Sequence, residues 1–378
     1  MPDADRYGDQ ASHTLCHVVS ESRLQLPTLT RLGLGAIEGV SCLPRATPQA
    51  GIGRLRTLSA GKDTLVGHWE LMGHVMPQPF PTYPDGFPAD LIGRLSSAWG
   101  REIIGNRPAS GTQIIEELGP RQLATGALIV YTSADSVLQI AAHEQVVGVA
   151  ELYECCRQAR RLCSGEHAVA RVIARPFTGP PGSFVRTERR RDFPLPPPEP
   201  LALDLLAAAG IRICAVGKIG EIYSGRGCAE QIHTADNAAG MRVIEKLWAA
   251  GECDLVFANL VDFDTLYGHR NNLAGYADAL AEFDSWLGGF ITELAEDEVL
   301  IITADHGCDP ATPSTDHSRE YVPLIMYGKR IQPANLGTIA GLRLVGDAVC
   351  NLLGVDAGEH SREIGALLRA NTAGGSGQ

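Results

Sequence analysis

The sequence predicts an α/β fold in which a mostly parallel sheet flanked by helices carries an inserted α+β domain. Short apolar runs alternate with amphipathic helical patterns through the second half of the chain. Polar clusters follow two of those runs directly, and two proline-rich stretches bracket a central segment of different character. A chain of 378 residues also exceeds what one hydrophobic core usually organises, which argues for two domains.

The runs ICAVGKI (213–219), LVFANLV (255–261) and VLIIT (299–303) read as strands buried on both faces. Between and after them lie helical patterns. Leu273, Leu280, Leu287 and Leu294 recur every seven residues, with Tyr276, Ala277, Phe283, Phe290 and Ile291 beside them, and describe one amphipathic face. Residues 234–248 and 342–353 read as shorter helices of the same kind. Strands alternating with helices imply parallel pairing, and ligands then sit beyond the carboxyl ends of the strands. In the middle, MPQPFPTYP (76–84) and FPLPPPEP (193–200) read as linkers around an α+β cap at 78–196, with a strand at 127–132 and a helix at 151–163. The core takes residues 1–77 and 197–370, and NTAGGSGQ (371–378) reads as a flexible tail.

The chain carries 32 Lys and Arg against 44 Asp and Glu, a net charge of -12, which disfavours nucleic acid as a partner. Ten cysteines follow neither a metal-site nor a disulfide spacing, so thiols in a reducing cytoplasm are expected. The polar opening MPDADRYGDQASH does not read as a signal peptide, and no apolar run approaches membrane length, so a protein outside the membrane is expected.

The chemistry gathers after the apolar runs. Asp262, Asp264 and His269 follow the second, Asp305 and His306 the third, and Asp316 and His317 come shortly afterwards. Carboxylates mixed with neutral imidazoles are the donors of a two-metal site for Mn²⁺, Zn²⁺ or Fe²⁺, of the kind that clamps a phosphoryl transfer. GKDTLVGHWE (61–70) leads from small residues toward a helical pattern and reads either as a turn with a helix cap or as a helix N-terminus that would set Thr64 where free backbone N–H groups hold phosphate and metal coordination activates a hydroxyl.

The segments GKDTLVGHWE, IIGNRPASGT (103–112), YTSADSVLQIAAHE (131–144), RVIARPF (171–177), NLVDFDTLYGHR (259–270), ITADHGCDP (302–310) and TDHSREYVPL (315–324) resemble those of phosphopentomutases, members of the alkaline phosphatase superfamily. The resemblance runs from near Pro2 to about Leu367. It implies an alkaline-phosphatase-like core and a mutase of ribose or deoxyribose phosphates, with Thr64 as the phosphorylated residue. It implies that Asp305 and His306 hold a first Mn²⁺ and that Asp264, His269 and His317 hold a second. Ser133, Asp135, Val137, Arg171, Arg186 and Lys218 match positions that hold the sugar phosphate, and a sugar bisphosphate is the implied activator.

Two departures follow from the same comparison. Relatives open with an apolar strand ending in an M-D-S-x-G-x-G turn whose aspartate completes the first metal site, whereas MPDADRYGD resembles the segment just after that turn. A central strand would then be missing, exposing the flanks of its neighbours, with Asp3 and Asp5 on a solvent-facing loop. Cys308 stands where relatives commonly have asparagine. On the residues alone, a metal-dependent phosphatase or phosphodiesterase on the same core and a truncated, non-catalytic relative remain open alternatives.

Overall fold

The computed structural model describes residues 1–133, 135–198 and 200–357. The tail expected at 371–378, like residues 358–370, lies outside them. Two compact units form, one from residues up to Gln78 and from Pro197 onward, the other from Pro79–Pro196.

The first unit begins with α1 (Thr14–Ser22), α2 (Pro27–Leu32), β1 (Gly51–Arg56) and α3 (Thr64–Leu71). The second runs α4 (Ala89–Trp99), β2 (Ile103–Pro108), α5 (Gly111–Thr125), β3 (Leu128–Thr132), β4 (Val137–His143), α6 (Val149–Leu162), β5 (Arg171–Thr178), β6 (Val185–Arg186) and β7 (Arg191–Pro194). The chain then returns to the first unit through α7 (Ala202–Ala208), β8 (Ile213–Val216), α8 (Ile219–Ile222), β9 (Glu230–Ile232), α9 (Asn237–Ala250) and β10 (Leu255–Ala258). It closes with α10 (Leu273–Phe290), β11 (Leu300–Ile302), β12 (Val322–Tyr327), β13 (Ala334–Ala340) and α11 (Leu344–Leu352).

Parallel pairing predominates in the first unit, but over two sheets rather than one. β8 lies between β10 and β9, parallel to both. The other sheet runs β11-β12-β1-β13, with β1 parallel to β13 and antiparallel to β12. No helix crosses over between β11 and β12, so the chain returns antiparallel through a long loop. β10 and β11 pair on one side only among the described residues, and their apolar side chains are half-buried where those of β8 are buried.

Three of the four leucines of the seven-residue pattern lie on α10, which ends at Phe290, so Leu294 falls beyond the helix. Leu287 is buried with Leu26, Leu29, Ile52 and Ile325, which joins α10 to α2 and the β1 sheet, and Leu280 and Leu294 pack at the margin. Asp284 of the same helix is buried and accepts the free N–H groups of Thr28 (3.0 Å) and Leu29 (2.7 Å), capping α2 from a distance.

The second unit is a sheet of order β2-β3-β4-β5-β6, with β7 also on β5. Alternate residues of β4 serve its two faces. Leu138 and Ile140 pack with Leu152 and Cys156 of α6, while Ala141 packs with Ile129, Ile114 and Ile115 on the α5 side.

Two cystines, Cys16–Cys42 and Cys214–Cys253, correct the expectation of thiols throughout. Their partners lie 26 and 39 residues apart, so the pairing reflects folded neighbours rather than a spacing motif. Cys253 stands just before β10, which runs beside Cys214 on β8.

Glu70 is fully buried on α3, and its carboxylate accepts N–H groups from Leu58 (2.9 Å), Ser59 (2.7 Å) and Leu342 (2.9 Å). It ties α3 to the end of β1 and to the start of α11. Hydrogen bonds to a charged acceptor contribute about 1.5–3 kcal/mol each, and an amide would turn two donors toward these N–H groups. Glu70→Gln should therefore lower unfolding free energy by about 2–3 kcal/mol in urea titrations.

Candidate active site

Asp63 ends the extended chain and caps α3, its Oδ1 accepting the N–H groups of Leu65 (3.0 Å) and Val66 (3.2 Å). Thr64 is thereby the first residue of the helix, and its Oγ1 lies 3.1 Å from His306 Nε2. Close packing brings this about. At Gly67, one turn along α3, a Cβ would overlap the backbone carbonyl of Asp305. Gly67→Ala should push α3 away from that loop. Alanine favours a helix by about 1 kcal/mol over glycine, but overpacking against backbone costs about 1–3 kcal/mol. The stability change is therefore small. Displacing Thr64 by about 1 Å should nevertheless lower kcat/KM about 100-fold, measurable in steady-state assays.

Beyond β10, Asp262 is buried and bonds to the start of α9, accepting the N–H of Asn237 (2.7 Å) while its own N–H bonds to Asn237 Oδ1 (3.0 Å). It is an anchor. The chain then takes a π-helical turn, Phe263–Tyr267, with Asp264 on it, and a 3-10 turn, Gly268–Arg270, with His269 on it. Beyond β11 come Asp305 and His306. Gly307 and Ser318 then bridge by paired backbone bonds (3.2 and 2.7 Å), drawing His317 back until its ring lies 3.8 Å from that of His306.

The donors converge. Asp264 Oδ1 lies 3.3 Å from His269 Nε2 and 3.1 Å from His317 Nε2. Asp305 Oδ2 lies 3.1 Å from His306 Nε2 and 3.0 Å from His68 Nδ1. His269 Nδ1 donates to the Thr315 carbonyl (2.7 Å) and His306 Nδ1 to that of Gly307 (3.0 Å), which leaves each Nε2 with a lone pair facing carboxylates. Asp264 Oδ1 and His317 Nε2 are buried without a hydrogen-bond partner, despite their hydrogen-bond-length separation. Donor atoms of Asp264, His306 and His317 lie within 4.8 Å of one another. Lone pairs crowded against carboxylates need positive charge between them, so the residues fit divalent cations.

The electrostatics agree. Burial opposes a charge on His306, yet the carboxylates of Asp305 and Asp264 outweigh it and lift the imidazole to about 9. Burial likewise opposes ionisation of Asp264 and Asp305, but the surrounding imidazoles hold both well below the usual carboxylate range. His317 is pushed down by burial and by the charge of His306.

Three participants lie within the segments 61–70 and 315–324 singled out in the sequence but had no role assigned to them there. His68, four residues after Thr64, also reaches the Thr64 carbonyl with Nδ1 (2.9 Å). Arg319, itself buried, donates to the carbonyls of Thr57 (3.2 Å), Ser59 (2.8 Å) and Gly61 (2.6 Å) and to Asp3 (2.8 Å). Lys62 reaches Asp9 (3.1 Å) and Asp316 (3.2 Å). Asp3 is thus held in an ion pair rather than on a solvent-facing loop, while Asp5 is exposed.

Lys218 follows β8, beyond the same carboxyl edge of the parallel sheet as Asp264, its N–H donating to Asn259 Oδ1 (2.8 Å). In the second unit, Ser133 and Asp135 lie in the turn from β3 to β4, and Val137 pairs in register with Arg171. Arg186 pairs with Phe177 at the other end of β5, roughly 20 Å along the strand from Arg171 at about 3.3 Å per residue. Ser133, Asp135, Val137 and Arg171 gather at one end of the sheet, whereas the backbone of Arg186 starts at the other end and its guanidinium lies beside Gly111 and near Tyr131 of β3.

Among the described residues, no helix is long and apolar enough to cross a membrane. Residues 205–357 match the model of the Metalloenzyme superfamily. The phosphopentomutase of Caldanaerobacter subterraneus subsp. tengcongensis is 50% identical over 339 residues, 89% of this chain and 86% of the relative. That of Acetivibrio thermocellus is 49% identical over 373 residues, 97% and 96% of the two chains. Among solved structures, a Pyrococcus horikoshii protein aligns at a TM-score of 0.47 and 15% identity, covering 88% of this chain and 91% of that one. Phosphoglycerate mutase of Leishmania mexicana aligns at 0.43 and 15%, covering 82% and 90%. Identity near one half, sustained over nearly the full length of the curated relatives, means that this chain belongs to the phosphopentomutase family.

Proposed function

We propose that the protein interconverts α-D-ribose 1-phosphate, or its 2-deoxy counterpart, and the 5-phosphate, acting as an isomerase in nucleoside catabolism in the cytoplasm. The observation that carries the reading is the hydroxyl of Thr64 at a helix N-terminus, 3.1 Å from His306 among converging carboxylates and imidazoles, in a chain about half identical to phosphopentomutases.

Phosphorylated Thr64 gives its phosphoryl group to the free hydroxyl of the incoming monophosphate. The resulting bisphosphate turns over in the site and returns its other phosphoryl group to Thr64, so a sugar bisphosphate serves as activator. Asp305 and His306 hold one cation, and Asp264, His269 and His317 the other, with Mn²⁺ the ion that the family resemblance implies. When bound, the cations supply charge for the equatorial oxygens of the transferring phosphoryl group and favour the alkoxide of the threonine. Ser133, Asp135, Val137, Arg171, Arg186 and Lys218 hold the sugar phosphate, since guanidinium groups grip phosphate bidentately and a carboxylate accepts from ribose hydroxyls.

The test is to incubate the protein with Mn²⁺, ribose 5-phosphate and catalytic ribose 1,5-bisphosphate, following both isomerisation and free phosphate. Ribose 1-phosphate should form faster than inorganic phosphate. Phosphate release outpacing isomerisation would instead mark a phosphatase.

A further inference from the structure

Cys308 lies three residues beyond Asp305 in the loop after β11 and is 5% exposed. Its Sγ, a carboxylate oxygen of Asp264 and a ring nitrogen of His269 all fall within 4.8 Å of one another. Bonds from one cation to oxygen, nitrogen and sulfur are about 2.0–2.3 Å long, so a single ion spans that spread after small shifts. Three further features distinguish this thiol from an ordinary buried cysteine.

The first is what it faces. Asp264 Oδ1 is buried without a hydrogen-bond partner, and His269 donates through Nδ1 to Thr315, which leaves Nε2 as the nitrogen with a free lone pair. The second is how it is held. A Cβ on Gly268 would overlap Cys308 Sγ, so only glycine lets the thiol press against the chain one residue before His269. The Cys308 N–H also bonds to Thr14 Oγ1 (3.2 Å), which fixes the cysteine backbone. The third is what competes for it. The thiol has the Asp316 carbonyl at 3.9 Å, the long contact of a weak S–H donor.

Sulfur changes which metal such a site prefers. Carboxylate and imidazole accept Mn²⁺, whereas a thiolate is a soft ligand that favours Zn²⁺, and both Co²⁺ and Zn²⁺ stand above Mn²⁺ in the general affinity order. We propose that Cys308 is a sulfur ligand of the cation held by Asp264 and His269 and makes this site retain Zn²⁺ or Co²⁺ in preference to Mn²⁺. The inference rests on the two-cation reading above. On binding, the S–H bond breaks, the sulfur lone pair enters the metal's coordination sphere, and the proton leaves to solvent with no change of oxidation state.

The experiment is optical and needs no turnover. Metal-stripped full-length protein, its Cys308→Ser variant and its Cys308→Ala variant are titrated with Co²⁺ and then exchanged with Zn²⁺ and Mn²⁺. Visible cobalt bands in all three proteins, with an intense near-ultraviolet sulfur-to-cobalt charge-transfer band in the wild type alone, are expected. The preference for Zn²⁺ over Mn²⁺ should fall at least about tenfold in both variants, the lower end of what even an outer partner of a metal ligand costs. X-ray absorption of the zinc-loaded wild type, which requires no variant to fold, should show a sulfur scatterer at about 2.3 Å. Visible bands without a charge-transfer band, no sulfur scatterer at zinc, or a charge-transfer band that survives both substitutions would overturn sulfur ligation and leave the cation site standing. Absence of any cobalt band from the wild type would overturn both.

Discussion

Replacing Thr64 with valine is expected to abolish pentose phosphate interconversion, lowering kcat by more than about 10⁴-fold, the scale seen when the nucleophile of a covalent mechanism is deleted. Valine keeps the branched shape of threonine and removes the hydroxyl that lies 3.1 Å from His306. The helix does not depend on that hydroxyl, because its first turn is capped by Asp63. Circular dichroism and the unfolding midpoint should therefore be nearly unchanged. Serine retains the oxygen with looser rotamers, so Thr64→Ser should keep measurable turnover. The check is a pair of assays on each variant, isomerisation and incorporation of label from a phosphoryl donor. Valine should fail both and serine neither, and full turnover in the valine variant would exclude Thr64 as the phosphoryl carrier.

Arg319→Met should be the most damaging change to stability, lowering unfolding free energy by about 3–5 kcal/mol, as expected when one partner of a buried ion pair is removed. The guanidinium satisfies the carbonyls of Thr57, Ser59 and Gly61 along with Asp3, and methionine would leave them buried and unpaired. Because those carbonyls belong to the segment leading into Thr64, turnover of the folded fraction should also drop, by about 10–100-fold on the scale of residues that orient a metal site from behind. Arg319→Lys supplies one point charge in place of a planar fork and should recover only part of either quantity. Urea denaturation and kinetics on the same preparations separate the two effects.

Much of this arrangement was legible in the sequence because it is local. The apolar runs at 213–219, 255–261 and 299–303 contain β8, β10 and β11, and the seven-residue leucine spacing marks α10. Polar residues after β10 and β11 fall at the sheet edge because they follow the apolar runs directly, although β8 and β10 stop at Val216 and Ala258, before their runs end. What escaped is non-local. Glu70 and Arg319 earn their roles from backbone groups 11 to 272 residues away, and nothing in their neighbourhoods announces those partners. The cystines were missed for the same reason, since Cys214 and Cys253 meet only because β8 and β10 run side by side. The twofold division of the first unit's strands was hidden too, as periodicity identifies a strand without naming its neighbour.

That division bears on how the molecule resists heat. Asp264 and His269 follow β10, while His317, assigned above to the same cation, lies between β11 and β12, and β10 and β11 belong to sheets that share no backbone ladder among the described residues. An ion gripping ligands from both sides acts as a rivet between two separately hydrogen-bonded plates. Loading at 100 times the dissociation constant should add about 2.7 kcal/mol to unfolding free energy, and chelation should remove it. Calorimetry with and without chelator reads that difference directly, and an unchanged melting curve would mean that helix packing alone clamps the plates together.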